Sequence, residues 1–453
     1  MRPALKQVAP DDWDLSSAGE LLDVVDASGN IVRQQRANVY FTGFPLDDLE
    51  LSEDLRLSGA ASKLLWTVGL YWADNRSLLH TRYSADAHGL APGESFLQYP
   101  PPLSTLTPLT LVPYGDISGR NQILSGYGSI GYAITPSLDL NVELRWSEER
   151  IFSQSTFYTD SPPDTSAPGN GSWPLTTPRA TISYKWPSDI QAYLSAAKGE
   201  RSGGFNPTSQ PDLMSTFGPD VNWTYEAGLK AGGAGRRLQG ALAIYYVRWS
   251  NLQLDEPSPD PNIPFSVTRN IGSAIVRGLE LALGGAATSW LDVRLGYAYA
   301  DARFDAGTGD LGIASTCTPQ ICDYLVGANG SAVPDIGGHQ LPLAPRHSGT
   351  FEATMHGGFP GRLHWYLRGA LYGASREFIR TDNLNWLKPQ WQPNLRFGIT
   401  GQSWEIAFWG LNLSHTPRTG FANIAAIDPI GQHFVGDRAN GASWGVSLLY
   451  HLE

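Results

Sequence analysis

Residues 138–147 read LDLNVELRWS, in which Leu138, Leu140, Val142, Leu144 and Trp146 alternate with Asp139, Asn141, Glu143, Arg145 and Ser147. Successive side chains of a β-strand point to opposite faces, so this stretch has one apolar and one polar side. Residues 291–300, LDVRLGYAYA, repeat the rhythm: Leu291, Val293, Leu295, Tyr297 and Tyr299 alternate with Asp292, Arg294, Gly296, Ala298 and Ala300. The charges stand inside these segments rather than at their ends. One face suits hydrocarbon and the other suits water, which is the pattern of a membrane barrel with a hydrated interior.

The same period extends in both directions. Strands are expected near 46–58, 62–76, 121–134, 138–157, 177–186, 189–199, 222–233, 235–254, 265–286, 289–306, 346–358, 361–376, 391–400, 402–415 and 440–451. Their boundaries are loose, so the count is about 14–16. The connections alternate in length. Short turns fall near 59–61, 135–137, 187–188, 233–235, 287–288, 359–361 and 401; long loops fall near 77–120, 158–176, 200–221, 255–264, 307–345, 377–390 and 416–439. A meander reverses direction at each step, so all short turns gather at one end. Outer-membrane barrels have this asymmetry, with long loops outward and short turns, here with the C-terminus, periplasmic. The expected fold class is therefore all-β, a transmembrane antiparallel barrel. Residues 46–453 form the barrel region, and residues 1–45 form an N-terminal segment without an assigned structure. A soluble propeller or sandwich also has period-two strands. It accounts poorly for long strands and one-sided loops.

Bulk composition agrees. Charged residues are 17% of the 453, below the usual quarter, while Gly (49), Tyr (19) and Trp (15) are abundant. The net charge of −11 weighs against a nucleic-acid partner. No run reaches the length of a membrane helix, which leaves a barrel untouched. The start, MRPALKQVAPDDWDL, has no apolar signal core, so an export leader is expected to lie outside this text.

At 193–206 the text is YLSAAKGERSGGFN. It resembles the Y-x-S-x-x-K-G-x-x-S-G-G-F-N stretch of TonB-dependent outer-membrane receptors, through Lys198, Gly199, Gly203, Gly204, Phe205 and Asn206. The continuation fits in order: YEAGLK with Tyr225, Glu226 and Gly228; NIGSAIVRGLELAL with Asn270, Gly272, Gly278 and Glu280; then GYAYADARF and LNLSHTP. The likeness runs over about residues 40–451. It implies a receptor barrel for uptake of a scarce nutrient such as an iron chelate, cobalamin or carbohydrate. Members of that family usually carry an N-terminal plug, a 22-stranded barrel and a short energy-coupling box. Neither plug nor box is read here, so the chain resembles the C-terminal part of such a barrel and is expected to be incomplete. The implied partners are outer-membrane lipid, the barrel-assembly machinery, a small extracellular nutrient, and the inner-membrane energy-coupling complex only if a plug is supplied. Where the family ends on an aromatic residue, this chain has Leu452.

The motif residues read as structural. SGGF at 202–205 lacks a following GK[ST], so it is not a phosphate loop. A turn with positive φ at Gly203 or Gly204 is expected. Glu226, Arg277 and Glu280 are expected on the lumen side, with Lys198 read the same way, because an Arg or Lys facing lipid at midplane costs about 2–4 kcal/mol. Trp66, Trp72, Trp146, Trp290 and Trp365 suit the interfacial girdles. Cys317 and Cys322, in CTPQIC, permit a small disulfide-closed turn. The long loops are the natural ligand surface, offering His80, Tyr83, His88, His339, Trp386, His433 and Phe434. No metal spacing, cofactor motif, nucleophile elbow or paired-acid motif is present, so an enzyme is not expected. Two alternatives stand beside the receptor: a plugless porin-like barrel and a soluble β-rich binding module.

Overall fold

The computed structural model describes residues 11–12, 20–25, 31–37, 39–85, 95–97, 112–157, 164–165, 168–206, 216–232, 237–257, 266–313, 317–326, 330, 332–416, 419–424, 434–438 and 441–450. Its main element is a 17-stranded antiparallel sheet. Two members, Asp11–Asp12 and Asp164–Thr165, are two residues long. The others are fifteen consecutive strands: β1 (Val39–Ala61), β2 (Leu64–Ala85), β3 (Val112–Thr135), β4 (Leu138–Phe157), β5 (Gly169–Lys185), β6 (Ile190–Arg201), β7 (Asp220–Ala231), β8 (Leu238–Ser250), β9 (Ala274–Ala286), β10 (Leu291–Phe304), β11 (His347–Gly358), β12 (His364–Ala374), β13 (Gln390–Thr400), β14 (Trp404–Leu411) and β15 (Ser443–Tyr450). Each pairs with the next in chain order, and each coincides with one strand expected from the alternation.

Registers carry one apolar face from strand to strand. Leu55 stands opposite Leu70, Leu140 opposite Ile182, Leu229 opposite Leu242, and Leu295 between Leu283 and Phe351. Phe351 then meets Leu371, and Phe397 meets Phe408. Apart from half-buried Leu140, these side chains are exposed, as are Val142 (45%) and Leu144 (50%). An apolar surface this extensive has no place in water. The five girdle tryptophans belong with it: Trp66 and Trp365 lie near the short turns, Trp290 lies in one, and Trp72 and Trp146 stand higher. Trp66 and Trp72, six residues apart, are roughly 20 Å from each other along β2.

The other face is polar and internally bonded. The Ser125 and Ser147 hydroxyls lie 2.9 Å apart, Thr181 and Ser195 3.0 Å apart, and Arg294 donates to Glu352 at 2.9 Å. Arg145, on the same side, donates to Ser125 at 2.9 Å and lies 5.1 Å over the Tyr71 ring.

This face carries a device that alternation alone does not predict. Tyr127 lies over Gly69, Tyr193 over Gly228, Tyr245 over Gly278 and Tyr366 over Gly398. In each pair the glycine is the direct cross-strand neighbour. Three hydroxyls then donate to carboxylates: Tyr127 to Asp54 at 2.6 Å, Tyr193 to Glu226 at 2.5 Å and Tyr366 to Glu405 at 2.7 Å. A Cβ at Gly398 would come 2.4 Å from the Tyr366 ring. Gly398→Val is therefore expected to lift the ring and destabilise the sheet by about 1–3 kcal/mol. Thermal melting in detergent measures this loss, and adding Tyr366→Ala to it should restore part of the stability.

The structure also corrects several boundaries. Loop 77–120 is shorter than expected, because β2 continues to Ala85 and β3 starts at Val112; likewise β5 starts at Gly169. The strands expected at 235–254 and 265–286 each break. Asn251 takes φ +56° and Gly272 φ +102°, and the chain between them folds into a separate hairpin, Gln253–Pro257 against Ser266–Asn270.

Candidate functional site

The long-loop end is built, not merely connected. Leu252, Ile271, Ala274, Phe304, Ile313, Cys317 and Ile336 form a small buried cluster there. The Cys317–Cys322 disulfide closes a turn beside it. Two buried carboxylates tie neighbouring loops to this core. Asp220, fully buried, accepts from Arg201 Nε at 3.0 Å, Trp249 Nε1 at 3.0 Å and the Gln253 amide at 3.2 Å. Asp310, also fully buried, accepts from Thr381 Oγ1 at 2.5 Å and from the Gly312 amide at 2.7 Å. Arg380 donates to the Gly312 carbonyl at 3.0 Å, and Asn383 donates to the Gln340 carbonyl at 2.9 Å. The segments around 305–346 and 375–389 are thus zipped together.

On the polar face below this cap, a cavity of about 1130 Å³ opens where β1–β4 meet the loop after β6. Asn75, Asn121, Glu149, Arg201, Phe205 and Phe217 contribute to its wall. Asn75 and Asn121 stand directly opposite in the β2–β3 register. Their Oδ1 atoms are buried and lack a hydrogen-bond donor. A buried acceptor left in that state costs about 1–3 kcal/mol. Two aromatic rings, a guanidinium and polar side chains in one recess suit a mixed polar and aromatic ligand of small-molecule size. Asn75 and Asn121 fall inside the strands expected at 62–76 and 121–134; alternation along each strand does not give the cross-strand register that sets them opposite each other.

The motif residues take structural positions. Gly203 and Gly204 are corrected: neither is among the glycines of positive φ. They are small because backbone and rings close on them. A Cβ at Gly203 would lie 2.4 Å from the Phe217 carbonyl oxygen, and one at Gly204 would lie 2.5 Å from the Phe217 ring. Phe205 packs edge-on against Trp173 at 5.7 Å. Asn206 holds Thr268 at both backbone atoms, each at 2.8 Å, and Asn270 accepts from the Gly218 amide at 2.7 Å. Gly199 lies against Asn222, and Tyr225 stacks with Trp223 on the apolar face at 6.2 Å. Glu226 and Glu280 share the lumen face with Tyr193 and Lys230. Arg277 does not. It stands on the outer face over Tyr246, 6.0 Å away, because the register places it opposite that residue near the long-loop end of β9. Lys198 also faces outward, opposite Trp223, and pairs with Glu200 at 2.5 Å.

The loop residues do not converge on one point. His80 is bonded to Asp116 on the outer side of β2–β3. His339 is tied to the Thr381 carbonyl at 2.8 Å, inside the zipped cap. Trp386 is half exposed and meets Phe378 at 6.4 Å, with Arg376 5.8 Å over its ring. The backbones of Tyr83 and Phe434 lie in strands. His88 and His433 lie outside the described residues.

The solved structures with this fold include the ferric yersiniabactin uptake receptor FyuA of Yersinia pestis, at TM-score 0.67 and 16% identity, covering 91% of this chain and 55% of that one. The siderophore receptor PiuA of Acinetobacter baumannii gives TM-score 0.62 and 17% identity, covering 92% and 56%. Among curated proteins, the metal-pseudopaline receptor CntO of Pseudomonas aeruginosa is 27% identical over 204 residues, 45% of this chain and 23% of that protein. The chain spans about half the length of these solved relatives and under a quarter of the curated one. The model of the TonB dependent receptor-like β-barrel family matches residues 10–413, and with the outward apolar face, the polar lumen and the loop cap already described, the chain belongs to that family.

Proposed function

We propose that this chain forms the wall and loop cap of an outer-membrane uptake receptor whose cargo is a metal chelate held by a small organic molecule. The observation that carries this reading is the recess beneath the cap. Its asparagines, its Arg201 and its two phenylalanines match the polar, partly aromatic and often anionic surface of such a chelate. The likeness to CntO, FyuA and PiuA, receptors for metal-pseudopaline, ferric yersiniabactin and a siderophore, supports the same class. Cargo would settle under the cap and continue along the hydrated face. Passage driven from the inner membrane requires a plug supplied with the wall, and insertion requires the barrel-assembly machinery and outer-membrane lipid.

Tryptophan fluorescence of the chain in detergent, titrated with ferric siderophores and metal–pseudopaline, tests the reading. Binding by the parent and about tenfold weaker binding by Asn121→Ala, a change of roughly 1.4 kcal/mol, is the expected result. Discrete ion conductance in planar bilayers with no quenching by any loaded chelate would instead identify a passive pore.

A further inference from the structure

The outer face of β2–β5 changes character above the upper tryptophans. Beyond Trp72 and Trp146 the outward positions turn charged: Asp74 and Arg76 follow on β2, Glu148 and Arg150 on β4. β3 brings Arg120 to the same height, directly opposite Arg76. On β5, Ser172 and Asn170 continue the row opposite Arg150 and Phe152. A cavity of about 630 Å³ opens here, walled by Arg76, Ser118, Arg120, Gln122, Arg150 and Phe152. It lies on the far side of the wall from the cargo recess, because Asn75 and Asn121 alternate with these residues along β2 and β3.

Arg76 and Arg120 are like charges in directly opposed positions, an arrangement that repels. One carboxylate serves both. Asp74, whose side chain is 5% exposed, accepts from Arg120 Nε and Nη2, each at 2.8 Å, and from Arg76 Nη2 at 2.9 Å. Glu148 accepts from Arg150 Nη2 at 3.1 Å. Within this patch three guanidiniums thus share two carboxylates, and one positive charge is left over. Arg368 and Arg396, directly opposed on the lumen face, differ: Glu352 and Glu405 supply a carboxylate to each. None of the three outer arginines spends more than two nitrogens on a carboxylate, and a guanidinium has five N–H donors to give. Asp74 fixes two of these forks side by side, so an anion entering the cavity meets donors already in place.

Height along the wall selects the anion. Arg76 and Arg150 each stand four residues beyond an indole, about 13 Å along a tilted strand. Indoles mark the membrane interface, and lipid headgroups extend outward from it. Below the cavity, Leu70, Leu124 and Leu144 form an exposed apolar track. An occupant of this place has a charged end beside the arginines and a hydrocarbon end beside the leucines, and guanidinium forks match phosphate oxygens. We propose that the outer surface of β2–β5 holds the phosphate headgroup of one outer-leaflet lipid, with Arg76, Arg120 and Arg150 on the phosphate and the acyl chains along the Leu70–Leu124 track. The site is independent of which cargo the receptor takes and of whether the recess binds it.

Native mass spectrometry of the chain in a neutral detergent, which resolves each retained lipid, tests this. Dioleoyl phosphatidic acid supplies a phosphomonoester, and dioleoyl phosphatidylcholine supplies the same chains under a zwitterionic head. A single phosphatidic acid per chain, held at least about tenfold more tightly than phosphatidylcholine, is the expected result. Arg76→Gln with Arg150→Gln leaves the Arg120–Asp74 pair intact and should weaken phosphatidic acid by at least about tenfold. Lys198→Gln with Arg303→Gln removes the same charge elsewhere on the outer face and should change it by less than about twofold. Gln122→Arg, which adds a guanidinium opposite Arg150, should tighten it. Inorganic phosphate or glycerol 3-phosphate, in about tenfold excess, should leave the lipid in place, since neither brings apolar surface to the track. Equal weakening by the two double variants, equal retention of the two lipids, no tightening by Gln122→Arg, or displacement by either soluble phosphate would each overturn the proposal.

Discussion

Val142→Arg should destabilise the folded wall by about 2–4 kcal/mol in lipid vesicles, because it places a guanidinium on the lipid-facing side near the middle of the apolar belt. Val142 is 45% exposed, and it lies midway between Leu138 at the short turn and Trp146 at the upper girdle. The adjacent substitution Asn141→Arg should cost under about 1 kcal/mol. Asn141 faces the lumen and donates to Glu143 at 2.6 Å, so a cation there gains water and a carboxylate instead of hydrocarbon. Urea unfolding of both variants in the same vesicles reads the difference. Equal costs would mean that the two faces are not in different media, and the membrane orientation of the sheet would be wrong.

The second large effect concerns the cap. Asp220→Ala should release the loop after β6 from the hairpin at 253–270, at a cost of about 3 kcal/mol. The carboxylate is fully buried, and its loss strands the Trp249 indole N–H and the Gln253 amide away from water. Arg201, half exposed, can turn to solvent, so its charge adds less to the penalty. The expected signature is local: faster hydrogen exchange and protease cleavage between residues 200 and 273, with β10–β14 unchanged. Asp220→Asn, which keeps an acceptor, should recover part of the protection.

The strands were legible because two solvents impose period two on every one of them, and LDLNVELRWS already contains the whole argument. Loop lengths gave direction for the same reason: chain reversal is geometry, not chemistry. Arg277 shows where this reading stops. A charge was assigned inward on the midplane cost, yet β9 begins at the long-loop end only three residues before 277, above the belt, and there an arginine can face outward over Tyr246. Gly203 and Gly204 show a second limit. Glycine in sequence signals either unusual backbone angles or missing space, and only the position of Phe217 decides for the latter. The Asn75–Asn121 recess was invisible because alternation along a strand does not give the register between strands, and the register is what brings the two residues together.

The tyrosines laid over Gly69, Gly228, Gly278 and Gly398 govern clearance along the bore. A phenol standing off the wall would project several ångströms into the channel and offer a sticky rung to any passing aromatic solute. Folded flat into a gap left by the neighbouring strand, with Tyr127, Tyr193 and Tyr366 moored at the hydroxyl, the rings become part of a smooth lining. Calibre is thus set by where side chains are missing as much as by where they are present.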